Sequence, residues 1–548
     1  MNLRCEALQN ELEAALGALA QRKMAFVFCR ATSYSPPHEH DPSIQAANAD
    51  EATMSNSSKF GFDFTFNPSG STPPREPDAP LQILVLADFG GRTPRGLVEP
   101  LSTRKIQRVD IDNLDGVFAG FGASLALALP CGPAALRFAS LEDFHPDPLL
   151  QRVAPLSELL AVRRALQSSS TAGEAAAKLQ QLLGAVPPSA PATTVPEVAT
   201  AALTPSGEST ETTLARLLGQ APAAPAPAKP AAGFDAQALI RQIVGGSKSA
   251  TPAAAPGSAG LVSAAELELA ARLRSVLHDP GFQSLEAAWR LLDWLVRRCP
   301  DEERVKFAVL DASLAELAAD LTGLHRRLRD QPPDLVVGNF TFGASQADLE
   351  LLGALAKLCA ALRATFLAAG DSRLAGCESF ALHPDPDDWT SPAPADVRET
   401  WQKVRATPEA AHVALALPRF LLRQPYGAGS DRIESFSFEE VPDASRHETF
   451  LWGNPAFLCA QLLAESFAGH GTLDSSGGDI GELPVFRFKQ DGESAMKPCA
   501  EAWLVDRAGE RLLKHGLVPC LSIKGRDAVR VAGLAAISSA APELKTRR

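Results

Sequence analysis

Between residues 59 and 183, apolar runs alternate with short polar segments. The run Leu81–Phe89 and the alternating leucines at positions 125, 127 and 129 predict strands. Asp112 is placed to cap a short helix, and Asp147-Pro148 is typical of a helix start, with the helix running to about Leu166. The pattern therefore predicts a first compact unit that contains both strands and helices.

From residue 261 to residue 548, helix and strand signals alternate. Ser263 with Glu266, and Ser313 with Glu316, match the capping-box pattern that precedes a helix. Strand-like apolar runs lie at Val305–Leu310, Leu335–Val337, Thr365–Ala368 and His412–Leu417, and later at Val485–Phe488, Ala502–Val505 and Leu517–Ile523. This alternation predicts a larger α/β unit with a substantially parallel sheet and a tail richer in strands.

The segment 184–260 is dominated by Ala, Pro, Thr and Ser, a composition that cannot bury a core. We predict a long disordered linker that spans on the order of 50 Å as a coil. One apolar patch near 234–244 predicts either a transient helix or a docking helix; it contains Phe234, Leu239, Ile240 and Ile243. Residues 1–58 are predicted to be a variable, disordered extension, and Met54 resembles a natural start. The predicted fold class is thus α/β, with two layered units packed together.

The composition excludes several classes of protein. The net charge of −12 in 548 residues argues against a nucleic-acid binder, which usually carries a basic patch. Nine cysteines without a C-x-x-C pair favour a reducing cytoplasm over a disulfide framework. The N-terminus lacks the apolar segment of a signal peptide. The longest uncharged stretch, Gly116–Leu136, is interrupted by prolines and is predicted to be a strand region, so membrane insertion is not expected.

A search for catalytic or cofactor-binding motifs favours structural roles. The nucleotide-binding, zinc-protease and serine-hydrolase signatures are absent from the sequence. The paired carboxylates Asp110/Asp112 and Glu142/Asp143 fall at predicted helix starts, where acidic groups stabilise the helix dipole. Trp289 falls on a helix face that is predicted to be core. We therefore expect no enzyme activity, no catalytic residue, no metal site and no cofactor.

Three stretches resemble the small sheath subunit of bacterial type VI secretion, TssB. They are LVLADFGGR (84–92), PLSTRKIQRVDIDNLDGVFA (100–119) and LRFASLEDFHPDPLLQRVAPLSELLAVRRAL (136–166). They stand in the order of the family pattern, which is a strand ending in D-F-x-x-R, then P-L-x-x-R-K, then D-N-F/L-D, then an S-x-x-D-F-x-P-D helix start. The resemblance implies that residues 59–183 fold like the small subunit.

A second set of stretches resembles the large sheath subunit, TssC. The clearest are LHDPGFQSLEAAWRLLDWLV (277–296), VVGNFTFG (336–343), LALPRFLLRQPYG (415–427), FSFEE (436–440) and FLWGNPAFLCAQLLAESF (450–467). The patch at 234–244 is similar to the short helix where the recycling AAA+ ATPase engages sheaths of this family. Large subunits of the family extend beyond the equivalent of Lys524–Arg530, so we expect residues 261–548 to correspond to a C-terminally shortened form.

Together the resemblances imply a fused building block of a contractile sheath in the bacterial cytoplasm. Its implied partners are other sheath subunits, an inner tube protein, a baseplate and the AAA+ ATPase. The alternative is an accessory that caps, nucleates or adapts a sheath without contracting. Fusion raises the effective concentration of each half for the other. The candidate interface or structural residues are Asp88, Arg92, Asp110, Asp112, Asn113, Trp289, Arg419, Arg423, Trp452 and Asn454.

Overall fold

The computed structural model describes residues 79–129, 132–184, 257–390, 393–490 and 492–546. We call residues 79–184 the N-terminal half and residues 257–546 the C-terminal half. Of the predicted linker 184–260, residues 185–256, including the docking patch at 234–244, lie outside the described residues, as does the predicted extension at 1–58. Residues 257–260 are helical, so the second unit begins slightly earlier than the predicted residue 261.

One nine-stranded sheet contains strands from both halves, in the order β11-β15-β14-β8-β7-β6-β1-β5-β2. The N-terminal half contributes β1 and β2, and also forms the separate hairpin β3–β4. The strands of this half are β1 (Leu81–Ala87), β2 (Gln107–Val109), β3 (Ser124–Leu129) and β4 (Gly132–Arg137). The alternating leucines at 125, 127 and 129 lie in β3, as the sequence predicts.

The C-terminal half supplies the remaining strands. They are β5 (Val305–Asp311), β6 (Leu335–Phe342), β7 (Thr365–Gly370), β8 (Val413–Leu417), β9 (Phe420–Leu421), β10 (Trp452–Gly453), β11 (Gly478–Ile480), β12 (Phe486–Gln490), β13 (Glu493–Lys497), β14 (Val518–Ser522) and β15 (Val529–Val531). Strands β1, β5, β6, β7, β8 and β14 all run in the same direction. Strand β2 is antiparallel to β5, β15 is antiparallel to β14, and β11 is antiparallel to β15. Strands β9–β10 and β12–β13 form separate two-stranded pairs.

Twelve helices complete the described part of the chain. Those of the N-terminal half are α1 (Leu114–Phe121), α2 (Pro146–Arg152), α3 (Ala154–Leu166) and α4 (Ala172–Gly184). Those of the C-terminal half are α5 (Gly257–Leu277), α6 (Pro280–Arg297), α7 (Leu314–Ala319), α8 (Leu321–Leu328), α9 (Gln346–Leu362), α10 (Ala395–Ala406), α11 (Ala456–His470) and α12 (Asp506–Lys514).

Strand β1 lies inside the sheet, between β5 and β6 of the other half. Leu81 pairs with Val305 on one side, and Ile83 pairs with Leu335 on the other. Alternate β1 residues enter two different hydrophobic clusters, because successive side chains of a strand point to opposite faces. The two layered α/β units predicted from the sequence are therefore built on one shared sheet.

Four local predictions differ from the structure. The helix predicted from Asp147 to Leu166 is two helices: α2 begins at Pro146 behind the cap His145, and Val153 is extended because Pro155 cannot continue the helix. Helix α5 begins at Gly257, so Ser263 lies inside it and caps nothing. Residues 502–505 form no strand. The capping box of Ser313 and Glu316 is confirmed.

The fourth difference concerns Asp112, which does not cap α1. The N-cap position is Asn113, and Asp112 is exposed one residue earlier. Asp110 takes the local role instead: its carboxylate accepts the Asn113 N–H at 2.9 Å, and the Asn113 side-chain oxygen accepts the Asp110 N–H at 3.2 Å. Asp110 and Asn113 therefore close a turn before the helix.

Candidate functional site

The seam between the two halves is the candidate site, and Trp289 lies at its apolar centre. This side chain of α6 is 1% exposed. Its ring centroid lies 4.0 Å from that of Phe118, 4.8 Å from Phe89 and 5.6 Å from Phe121, all in the N-terminal half. Its Nε1 donates a hydrogen bond to the Phe89 carbonyl at 2.9 Å. The predicted core role of Trp289 is confirmed, and that core joins the two halves.

A second aromatic group extends the seam along α6. Phe138 and Phe144 of the N-terminal half stack at 4.3 Å, and Phe144 meets Phe282 of α6 edge-on at 5.5 Å. Nearby, the Asp147 carboxylate accepts hydrogen bonds from the Glu434 N–H at 3.0 Å and the Ser435 hydroxyl at 2.9 Å. Apolar burial thus supplies area across the seam, while Asp147 fixes its register.

The turn after β1 is organised by Asp88. Its two carboxylate oxygens accept the backbone N–H groups of Arg92 and Thr93, each at 2.6 Å. Gly91 has φ of +70°, and a side chain there would collide with the Ser124 carbonyl. This turn requires glycine for both reasons. Asp88 therefore acts within the turn and directs the Arg92 side chain toward the C-terminal half.

Glu316, at the start of α7, forms ion pairs with two arginines of the N-terminal half. Arg92 Nε lies 3.0 Å from Glu316 Oε1, and Arg104 Nη2 lies 2.5 Å from the same oxygen. The Glu99 N–H also donates to Oε1 at 2.9 Å, and the Ser313 N–H donates to Oε2 at 3.0 Å. Burial alone would raise the pKa of Glu316, but these hydrogen bonds lower it to about 2. The carboxylate therefore stays charged and paired.

Asp311, at the end of β5, is buried close to this cluster. Its Oδ1 accepts the Gly90 N–H at 3.0 Å, a contact between the halves. Burial raises its pKa to about 6, and the nearby Asp88 charge adds to that shift against the lowering effect of the Gly90 hydrogen bond. The seam therefore contains Asp311, with a pKa of about 6, close to Glu316, with a pKa of about 2.

A separate ionic cluster surrounds Arg423 inside the C-terminal half. Its Nε lies 2.7 Å from Glu286 Oε1 and its Nη1 lies 2.7 Å from Glu440 Oε2, while Arg290 holds the same Glu286 at 2.7 Å. Burial alone would lower the pKa of Arg423, but the two carboxylates raise it well above its ordinary value. Burial raises the pKa of Tyr426, which stacks under Arg423, to about 12. The arginine is a fully paired internal brace.

Arg419 occupies the centre of a third cluster. Its Nη2 lies 2.6 Å from Glu501 Oε1 and 3.0 Å from Glu448 Oε1, and His447 Nε2 lies 2.9 Å from Glu501. Burial would raise the pKa of Glu501, but the hydrogen bonds from His447 and Arg419 lower it to about 2. His447, Glu448 and Glu501 offer ligand atoms within 4.8 Å of one another. The Arg419 guanidinium already supplies the cation that such a group attracts.

Trp452 begins the short strand β10, and Asn454 directly follows it. Trp452 stacks on His447 with centroids 4.7 Å apart, and its Nε1 donates to the His447 carbonyl at 3.0 Å. Asn454 is buried, and its side-chain amide donates to the Phe340 carbonyl at 3.0 Å and to the Gly338 carbonyl at 3.3 Å. Asn454 thereby satisfies backbone acceptors where β6 departs from regular pairing.

The structure brings Asp88, Arg92 and Trp289 to the seam and leaves Arg419, Arg423 and Trp452 within the C-terminal half. Sequence reasoning missed Arg104 and Glu501. Glu316 was recognised only as a helix cap, because the spacing of a capping box carries no information on long-range partners. The candidate docking residues Phe234, Leu239, Ile240 and Ile243 lie outside the described residues. In the part of the chain that is described, no helix has the length and apolarity to cross a membrane.

Comparison with known proteins identifies both halves. Residues 260–327 and 327–538 match the family model VipB, described as "EvpB/VC_A0108, tail sheath N-terminal domain". Residues 63–190 match the model T6SS_VipA, described as "Type VI secretion system, VipA, VC_A0107 or Hcp2".

One relative is the Type VI secretion system sheath protein TssC1 of Pseudomonas aeruginosa. It is 32% identical over 291 residues, an alignment that covers 49% of this chain and 58% of the relative. The match thus spans less than two thirds of that protein. The chain belongs to the type VI secretion tail sheath family and joins a VipA-type and a VipB-type domain in one polypeptide.

Proposed function

We propose that this chain is a structural subunit of a type VI secretion sheath, which polymerises around an inner tube and contracts to drive effector delivery. The observation that carries the proposal is the position of β1 between β5 and β6. Because the VipA-type half supplies an interior strand to the VipB-type half, the two act as one building block. A contractile lattice needs such blocks at fixed stoichiometry, and a single chain provides them.

Neighbouring blocks would join through strand edges that have no partner within the described residues. The hairpin β12–β13 is one such element, since each of its strands has an unpaired outer edge. Strands β2 and β11 end the nine-stranded sheet and present further edges. Exposed edges offer rows of N–H and C=O groups to an incoming strand. This chemistry builds a lattice without any covalent step.

The ionic clusters of the seam and of the C-terminal half would keep the block rigid while the lattice changes shape. Arg92 and Asp88 brace the seam, and Arg423 and Arg419 brace the C-terminal half. Contraction requires two lattice packings that differ by a few kcal/mol per subunit, with the rearrangement confined to contacts between blocks. The exposed Asp112 remains a candidate contact with a neighbour.

The proposed partners are other sheath subunits, the inner tube protein, a baseplate and an AAA+ recycling ATPase that would engage residues 234–244. The proposed location is the bacterial cytoplasm. The proposed role is mechanical, so it calls for no catalytic residue, metal or cofactor.

Electron microscopy of the purified full chain tests the proposal. We expect tubes of regular diameter when the chain is concentrated. Monomers or small rings that never elongate would contradict polymerisation and favour the accessory role of cap, nucleator or adaptor.

A variant pair tests the strand edges. Successive residues of a strand direct their N–H groups to opposite sides, so one of Arg487→Pro and Phe488→Pro removes an outward donor of β12 and the other removes a hairpin bond. We expect the outward variant to abolish tubes with little change in melting temperature. If both variants assemble normally, β12 is not the joining edge.

A further inference from the structure

A cleft of about 550 Å³ opens at the carboxyl ends of the parallel strands β6 and β7. Its walls come from Ala344 after β6, from the turn 373–376 after β7, from α10, and from Arg511 and His515 at the end of α12. In open α/β sheets, the crevice outside the carboxyl ends of the strands is the usual place for ligands. The cleft belongs to none of the three ionic clusters described above.

The described lining of this cleft is strongly basic. Four arginines reach it, and neither Asp nor Glu is among the described lining residues; the arginines are Arg373, Arg398, Arg405 and Arg511. The whole chain carries a net charge of −12, so a wall of one positive sign is a local exception. A concave surface lined by one sign of charge concentrates ligands of the opposite sign.

Within the described residues, two of these arginines are held in place without a carboxylate. Arg405 Nε donates to the Ile537 carbonyl at 2.8 Å, and its guanidinium lies 5.7 Å from the ring of Trp401. Arg511 Nη1 donates to the Pro386 carbonyl at 2.5 Å, and its guanidinium lies 5.3 Å from the ring of Trp389. Carbonyls and rings orient these cations but do not neutralise them, so their charge remains available to a ligand.

The exposed arginines Arg373 and Arg398 complete the basic wall. Arg373 Nε lies 3.9 Å from Asp371 Oδ1, and Arg398 forms no ion pair within the described residues. Planar guanidinium groups bind carboxylates through two parallel hydrogen bonds. Arg373 and Arg398 are therefore suited to seat acidic side chains at the mouth of the cleft.

Backbone donors of the turn after β7 are already engaged. The Arg373 N–H donates to Asp371 Oδ1 at 2.8 Å, the Leu374 N–H to the Asp371 carbonyl at 3.1 Å, and the Gly376 N–H to the Arg373 carbonyl at 3.0 Å. Phosphate sites in α/β folds depend on free backbone N–H groups at a helix start. This turn offers none of these three, which favours a ligand bound by side chains.

Apolar surface adjoins the arginines. Leu374, Val397 and Trp401 line the cleft together with Trp389. The buried Trp401 Nε1 has no acceptor within the described residues. A ligand that combines apolar side chains with oxygen acceptors would match this wall better than a bare anion.

We propose that this cleft binds an acidic peptide segment of another protein, with carboxylates on Arg373 and Arg398 and an apolar side chain against Trp401. Arginine clusters are a recurrent means of recognising acidic motifs. The proposal concerns one surface of the C-terminal half and does not require that the chain form tubes.

Fluorescence anisotropy with the full chain tests this proposal. The probe is a fluorescein-labelled heptapeptide, Glu-Leu-Glu-Phe-Glu-Leu-Glu, and the control peptide has Gln in place of each Glu. We expect the Glu peptide to bind and the Gln peptide to bind at least about tenfold more weakly, because guanidinium–carboxylate pairs are lost. Binding of the Glu peptide should weaken as salt is raised.

A double variant locates the binding. Arg373→Glu with Arg398→Glu changes only exposed side chains, so folding should be preserved and peptide affinity should fall by about tenfold or more through charge reversal. Arg326→Glu changes an exposed arginine of α8 outside the cleft and should leave the affinity unchanged. The proposal is overturned if the Glu peptide does not bind, if Arg326→Glu weakens binding equally, or if ATP binds at the cleft in place of the peptide.

Discussion

The two faces of the nine-stranded sheet are built differently. One face is covered jointly, by α1 to α4 of the VipA-type half and by α5, α6 and α11 of the VipB-type half. The other is covered by α7 to α10 and α12, and the VipA-type half adds to its buried core only Leu84, Leu86 and Leu101. The halves thus share an apolar core on one face. At α7, on the other face, they meet through the ion pairs of Glu316.

The contrast between the two faces shows which contacts define the building block. Apolar burial on the shared face contributes most of the favourable free energy, since it scales with area. Ion pairs at Glu316 contribute less net energy but make a misplaced turn after β1 unfavourable, because it would leave buried charges unpaired. Buried apolar area holds the halves together, and the ion pairs of Glu316 specify their register.

The largest expected effect comes from Trp289→Ala on the shared face. Removing this buried ring should lower the free energy of unfolding by about 3–5 kcal/mol. Phe366→Ala on the other face should cost about as much, yet only Trp289→Ala removes contacts between the halves. Denaturant unfolding measures the free energy of unfolding of each variant. Chromatography of linker-cleaved protein under mild denaturant measures whether the two halves stay associated. If both variants released the VipA-type half equally, the claim that the shared face holds the halves together would be contradicted.

The next largest effect is expected for Glu316→Gln. Arg92 and Arg104 would lose their common counter-charge, and we expect a loss of about 3 kcal/mol in unfolding free energy. The matched control is Glu99→Gln, because the Glu99 side chain is 60% exposed and binds the same Arg92. That control should cost less than about 1 kcal/mol. Equal losses in the two variants would show that burial of the carboxylate is not what makes the pair important.

A smaller effect is expected from pH. Glu316 and Glu501, with pKa values of about 2 against an ordinary 4.5, stabilise the fold above pH 4.5, and that contribution is lost as pH falls through 2. The contribution of Asp311 to stability changes with pH in the opposite direction. Its pKa of about 6 exceeds the ordinary 3.8, so its contribution is present below pH 3.8 and is lost as pH rises through 6.

Thermal unfolding between pH 2 and pH 7 checks both signs. Glu501→Gln should flatten the acid limb of the wild-type profile, and Asp311→Asn should remove the decline between about pH 4 and pH 6. An Asp311→Asn profile that runs parallel to the wild type over that interval would refute the assignment to Asp311.

The smallest effect is expected from cutting the linker. A protease site placed between residues 185 and 256 leaves every described contact intact, so the halves should co-elute and keep the same melting temperature at high protein concentration. At low concentration, a modest fall would follow from the lost effective concentration. Separate elution of intact halves would show that the shared sheet does not hold without the covalent connection.

Strand positions were largely predictable, whereas strand neighbours were not. Leu81–Phe89 and Val305–Leu310 are so apolar that only a buried strand accommodates them, and the observed bounds differ by two residues or fewer. The same apolar character means that the sequence does not predict the order of these strands in the sheet, because uniformly apolar strands can pair with any buried neighbour. The ionic clusters were hidden for another reason: Arg423 and Glu286 are separated by 137 residues, and charge alone does not identify a partner at that distance.

Strand β1 leaves the ribosome early, but the strands that pair with it are synthesised late. Both of its neighbours, β5 and β6, begin more than 200 residues downstream. Until that stretch is synthesised, an apolar strand with two open edges has nothing to pair with, and long-range pairing of this kind folds slowly. Newly made chains are therefore exposed to wrong strand pairing while residues 88 to 342 are synthesised, an interval in which a chaperone that covers β1 would favour correct folding.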